Sequence, residues 1–212
     1  MARTLTCWRV RLDVPPDAAA RLAATLTDDE RSRSARLRSE RDRQRFVIAH
    51  GALREILGRY LDAPPGGIRF TYNAFGKPDL ATDAGSRLRF NLAHSGDLAL
   101  VAVAPDAAVG VDVERVRALP NHAEIARCFF TAEEAERLQR LPGDLQTNAF
   151  FECWTRKEAY AKARGEGIAS NQVPPADGWS CSSFEPAPGY VGAVVVAGAF
   201  HGPSEFCNFQ PQ

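Results

Sequence analysis

The sequence predicts an α+β fold, divided near Pro105 to Val109 into two halves. Three observations carry that reading. Segments with apolar residues at helical spacing, such as "FVIAHGALREILGRYL" at 46 to 61, stand beside β-branched runs such as "YVGAVVVAGA" near the end. Helices come before strands in each half, the segregated order of an α+β chain. The 212 residues, 45% hydrophobic and 25% charged, are an ordinary globular composition, long enough for one large domain or two small lobes.

The elements follow in order. Residues 5 to 14 read as a strand, and after the turn "DVPPDAA" a helix runs from about Asp17 to Leu26. Thr27, with Glu30 three residues on, forms a capping box that opens a basic helix. The buried helix at 46 to 61 stops at "DAPPGG". "IRFTYNAFGKPDL" and "LRFNLAHSGDLALVAVA" have strand composition, with "NLAHSG" read as the start of a strand, and "VGVDVERV" is another. "NHAEIARCFFTAEEAERLQRL" gives a helix, a break near Phe130, and a second helix capped by Thr131 with Glu134. A long helix from 146 to 164 ends at Gly165 and Gly167, and the strands "WSCSSFE" and "YVGAVVVAGA" follow. The last dozen residues read as loosely held. No repeat between the halves is evident.

Composition narrows the function classes. No apolar run approaches a membrane span, and "MARTLTCWRVRLDV" carries charges where a secretion signal keeps an uninterrupted apolar core. The five cysteines are odd in number and irregularly spaced, which points to reduced thiols in a cytoplasm and to no zinc framework. Any metal would therefore sit on oxygen ligands.

Net charge is zero, yet seven arginines fall between Arg31 and Arg45 against Glu40 and Asp42. A solvated helix face and an anion site both account for that run, and the neutral total weakens a nucleic-acid reading. Of 26 cationic residues only Lys77, Lys157 and Lys162 are lysines. Where an arginine-rich chain departs from its default, a compact ammonium is wanted in place of a planar fork.

Candidate chemistry gathers in four places. On a strand, Asp112 and Glu114 of "GVDVERV" share a face, as an exposed strand edge or as ligands of a hard divalent cation such as Mg²⁺. On the long helix, Phe151, Trp154, Glu158, Ala161 and Gly165 form one stripe that Glu158 interrupts. Glu158 and Lys162 are either an ordinary surface pair or part of an oxygen cage with an ammonium for an anionic ligand, the equipment of phosphoryl chemistry. "FGKPDL" adds Lys77 on a turn, and "NLAHSG" adds His94 in a small-residue loop suited to an anion.

In order along the chain, "FGKPDL", "FNLAHSGDLALVAVA", "VGVDVERV", "FFTAEEAERL" and "WTRKEAYAKARGEGI" give a sequence that resembles the two-lobed 4'-phosphopantetheinyl transferases, which activate secondary-metabolite carrier proteins. The resemblance implies two similar α+β lobes, 1 to 108 and 109 to 212, with coenzyme A in the cleft between them. It implies transfer of the phosphopantetheine arm to a serine of an apo acyl or peptidyl carrier protein, with release of 3',5'-phosphoadenosine phosphate, by a cytoplasmic monomer. On this resemblance Asp112, Glu114 and Glu158 hold Mg²⁺ and Lys162 steadies the pyrophosphate. Glu158 or a metal-held water is the base. Arg33, Arg45, Lys77 and His94 hold the coenzyme's phosphates. Phe129 and Phe130, at the break between helices, read either as core, the commoner case, or as part of an apolar surface that receives the carrier's helix. Two departures stand out: Ala93 where relatives commonly carry serine, and Glu30 where a basic residue is common.

Two other readings compete. A non-catalytic module for coenzyme A or a carrier protein predicts binding without turnover. An RNA-binding protein using the arginine-rich helix predicts steep salt dependence and no role for Glu158.

Overall fold

The computed structural model describes residues 5–81, 87–167, 178–199 and 205–211. Strand β1 (Thr6–Arg11) leads into helices α1 (Pro16–Ala24), α2 (Asp28–Ala35) and α3 (Glu40–Leu61). A short hairpin of β2 (Phe70–Tyr72) and β3 (Pro78–Leu80) follows, then a longer one of β4 (Leu88–Ser95) and β5 (Leu98–Pro105). The second half repeats the plan. Strand β6 (Val109–Arg115) leads into α4 (His122–Phe129), α5 (Ala132–Gln139) and α6 (Gly143–Arg164), then β7 (Trp179–Phe184) and β8 (Tyr190–Ala197).

The repetition extends to topology. In the first half β5 lies between β1 and β4, and in the second β8 lies between β6 and β7, all antiparallel. Each half therefore orders its strands first, third, second, and each carries a helix of 22 residues, α3 and α6. Thr27 with Glu30 caps α2, and Thr131 with Glu134 caps α5, each as a complete capping box. Each boxed glutamate also pairs with a cation on the long helix: Glu30 with Arg54 at 2.8 Å, and Glu134 with Lys157 at 2.9 Å. A repeat unrecognisable by eye thus survives as T-x-x-E plus a buried cation, because both halves solve the same problem of fixing a short helix against a long one.

The α3 face packs on β1, β4 and β5 through Ile48, Ala52, Ile56, Phe90, Val101 and Val103. Helix α6 packs on its own sheet through Ala159, Tyr160, Ala163, Ala193 and Val195. The approach is close enough that a Cβ on Gly110 would lie 2.0 Å from the Ala159 carbonyl oxygen, so β6 needs glycine there.

Several expectations are corrected. The basic segment is broken between α2 and α3 rather than continuous, and α6 begins at Gly143. "NLAHSG" closes β4 and turns into β5 instead of starting a strand, with Gly96 at φ 56°. Residues 205–211, the described part of the last dozen, are not loose: β9 (Glu205–Asn208) runs parallel to β1 at the edge of the first sheet, and Phe209 is buried in the first core. That strand lies with the first half, so a lobe drawn from 109 to 212 includes a segment that packs elsewhere.

Candidate active site

The two halves meet where edge strand β4 faces edge strand β6. Side chains of β4 satisfy backbone donors of β6: Asn91 Oδ1 accepts from the Val111 N–H at 2.8 Å, and Ser95 Oγ accepts from the Arg115 N–H at 3.1 Å. Ser95 also donates to Glu114 at 2.7 Å, orienting that carboxylate. Sequence reasoning missed Asn91 and the part played by Ser95. Their signal was two hydrogen-bonding residues on the same face of a strand, at i and i+4.

Asp112 is 5% exposed. Lys162 donates to its Oδ1 at 2.6 Å, while its Oδ2 is buried without a partner. Burial pushes Asp112 up to about 7, Lys162 opposing and the charges of Glu158 and Glu114 adding to the rise. Glu158 is raised as well, by burial first, with Lys162 opposing and Glu114 reinforcing. The three carboxylates therefore act on one another around a single ammonium. Among the described residues no three His, Cys, Asp or Glu side chains are gathered into a ready-made metal site, and Asp112 is held by Lys162. The donor set is nevertheless all oxygen, and the unpartnered Asp112 Oδ2 is a buried acceptor lacking a cation or donor. Both features suit a hard divalent ion.

The stripe drawn through Glu158 needs correction. The α6 residues packed on the sheet are Ala159, Tyr160 and Ala163, and Glu158 sits on their flank, half-buried. Lys157, which drew no assignment, is the buried cation of α6.

The four basic candidates fare differently. His94 is exposed at the end of β4, yet partial desolvation of its ring, and then the charges of Lys162 and Arg45, lower its pKa. Arg45 is half-buried and grips Asp97 at 2.6 Å, a hydrogen bond that holds Asp97 below the usual carboxylate range. Arg33 pairs with Asp29 at 2.9 Å and lies over the Tyr72 ring, 4.1 Å from its centroid. Lys77 departs from expectation: its ammonium donates to the carbonyls of Val109, Lys162 and Ala163, so it is committed to backbone and is not free for a phosphate. A cleft of about 380 Å³ opens between the halves beside it, lined by Tyr72, Lys77, Arg89, Val109, Arg164 and Gly165.

Arg31, Arg33, Arg41, Arg43 and Arg45 each pair with a nearby acid, so five of the segment's seven arginines are locally paired, which weakens its reading as a positive stripe for RNA. Phe130 is 5% exposed and stacked on Phe150, so of the two readings of that pair the core one holds for it, and Phe129 meets Trp154 edge-on. Ala93 is buried with Val113 at the seam of the halves, on the strand face opposite His94, so a serine there would face the seam rather than the surface carrying His94.

Residues 15–106 match the N-terminal region of 4'-phosphopantetheinyl transferases, and residues 108–198 match the 4'-phosphopantetheinyl transferase superfamily. The chain is 40% identical over 205 residues to the 4'-phosphopantetheinyl transferase HetI of Nostoc sp., spanning 90% of this chain and 86% of that protein. It belongs to the 4'-phosphopantetheinyl transferase family. It is also 30% identical over 164 residues to a 4'-phosphopantetheinyl transferase of Bacillus subtilis, spanning 76% and 71% of the two chains. The similarity to Sfp of Bacillus subtilis is 28% over 151 residues, 70% and 64% of the two chains. No described helix of this transferase is long and apolar enough to cross a membrane.

Asp112 gives this transferase a pH signature. Its carboxyl holds a proton up to about pH 7 in the fold, but only below its ordinary value of 3.8 when unfolded. Between those values the folded state binds the extra proton, so this group's contribution to stability falls as pH rises through the window. Without divalent ions, the Tm difference between Asp112→Asn and the parent is expected to grow in the variant's favour from about pH 5 to about pH 7.5. A constant difference in thermal scans would contradict the raised carboxyl.

Proposed function

We propose that this chain transfers the 4'-phosphopantetheine arm of coenzyme A to a serine of an apo acyl or peptidyl carrier protein, in a Mg²⁺-dependent reaction that releases 3',5'-phosphoadenosine phosphate. The supporting observation is the placement of Asp112 and Glu114 on β6 at the junction of the halves, with Lys162 of α6 donating to Asp112 at 2.6 Å and Glu158 one turn before Lys162. Asp112, Glu114 and Glu158 are the residues that would hold Mg²⁺, which when bound neutralises pyrophosphate charge. The chain's own contribution is positioning and charge. His94 and Arg45 meet phosphate oxygens of the coenzyme, and Arg33, on α2 over Tyr72, meets its far end. Lys162 lies one helical turn from Glu158 and supplies positive charge to the phosphate of the departing 3',5'-phosphoadenosine phosphate as the pyrophosphate linkage breaks. Glu158, its basicity raised by burial, accepts the proton that the carrier serine loses. The enzyme acts as a cytoplasmic monomer, both halves of one chain supplying the site.

Incubation with apo carrier protein, coenzyme A and Mg²⁺, followed by intact-protein mass spectrometry, tests this reading. A gain of one phosphopantetheine mass is expected, abolished by a chelator and in Glu158→Ala. Coenzyme A binding with no gain on any carrier type would replace it with the binding-module reading.

A further inference from the structure

The β2–β3 hairpin belongs to the first half, yet its turn reaches the end of α6 in the second. Asn73 organises the turn: its Oδ1 accepts from the N–H groups of Phe75 and Lys77, each at 2.9 Å, and Gly76 takes φ 78°. Its Nδ2 donates to the Gly165 carbonyl at 2.8 Å. The Lys77 ammonium lies 3.0 Å from the Val109 carbonyl oxygen, 2.5 Å from that of Lys162 and 3.3 Å from that of Ala163. Together the two side chains reach carbonyls at the C-terminal end of α6, where intrahelical N–H donors run out, the Lys162 carbonyl also accepting from the Gly165 N–H at 3.2 Å. A cation at that end also meets the negative pole of the helix.

The chemistry explains the lysine. Three carbonyl oxygens converge on one point, and an ammonium can aim its three N–H bonds at them, whereas a planar guanidinium cannot. In a chain with 23 arginines and three lysines, this position needs the smaller head. The position also matters because the three acceptors lie on two elements. Val109 opens β6, which carries Asp112 and Glu114, and Lys162 and Ala163 end α6, which carries Glu158.

Resting on the transferase reading, we propose that Lys77 and Asn73 are positioning residues: a clamp from the first half that sets the α6 acid against the β6 acids, rather than contacts to the coenzyme's phosphates. Steady-state kinetics of Lys77→Met with coenzyme A and with 3'-dephospho-coenzyme A separate the two roles. The clamp predicts a kcat lower by roughly 10²-fold, the loss expected from a misplacement of about 1 Å, with KM for coenzyme A and the preference for the 3'-phosphate unchanged. A raised KM, a retained kcat and a lost preference for the 3'-phosphate would overturn it. Amide exchange on the unliganded protein reads the clamp without turnover: the Gly165 and Glu166 amides, bonded to the Lys162 and Ala161 carbonyls, should exchange faster in the variant. Unchanged exchange there would also overturn the proposal, whether or not the parent protein transfers anything. Should Lys77→Met fail to fold, Lys77→Arg keeps the charge and should show the same kinetic split to a smaller degree. Parent-like kcat and exchange in Lys77→Arg would refute the need for an ammonium.

Discussion

Replacing Asp112 with alanine is expected to lower transfer by at least roughly 10²–10³-fold while leaving the protein folded, a loss of the size seen when one charge-stabilising group is removed from a transition state. A carboxylate that is 5% exposed, with one oxygen unpartnered, is costly to bury and is offset, among the described residues, by Lys162 alone, so losing it should cost function more than folding. Removing it frees Lys162, whose side chain is 30% exposed and can be solvated or turn toward Glu158. The check is turnover at saturating Mg²⁺ beside a thermal melt of the same preparation. Parent-level turnover would remove Asp112 from the mechanism; a collapsed melt would show that the carboxyl is structural.

The largest loss of stability is expected from Glu30→Ala. Glu30 and Arg54 are each 1% exposed in their side chains, and Arg54 also donates to the carbonyls of Pro65 and Ile68. Alanine leaves that guanidinium buried without its counter-ion and removes the acceptor for the Thr27 N–H, so about 3–5 kcal/mol of unfolding free energy should be lost. The corresponding change in the second half, Glu134→Ala, should cost less. Lys157 is equally buried, but the Glu134 side chain is 22% exposed, so water already reaches that pair. Urea denaturation of the two variants makes the comparison. Equal losses would mean that burial does not set the strength of these pairs. Glu30 is thus the α2 anchor, and its acidic character answers to Arg54 rather than to the coenzyme.

Much of this was legible in the chain. Periodicity located α3 and α6, T-x-x-E located the starts of α2 and α5, and strand alternation put Asp112 and Glu114 on one face, because these patterns depend on neighbours a few residues apart. The scarcity of lysine was a true signal, but its meaning was not readable: Lys77 ends on three carbonyls, Lys157 on Glu134 and Lys162 on Asp112. Each partner lies on another element, so no local spacing identifies it.

The sequence by itself determined the α+β class, the helix starts, and which residue types were available for phosphate and cation chemistry. These are local matters of propensity, capping and charge. The tertiary structure alone decided that β9 returns to β1, that Asn91 and Ser95 hold the edge of β6, and that Lys77 closes the end of α6. It also decided that Asp112 is buried deeply enough to hold a proton near neutrality. Those outcomes depend on desolvation and on donors and acceptors meeting across long separations in the chain, and neither exists until the halves have packed.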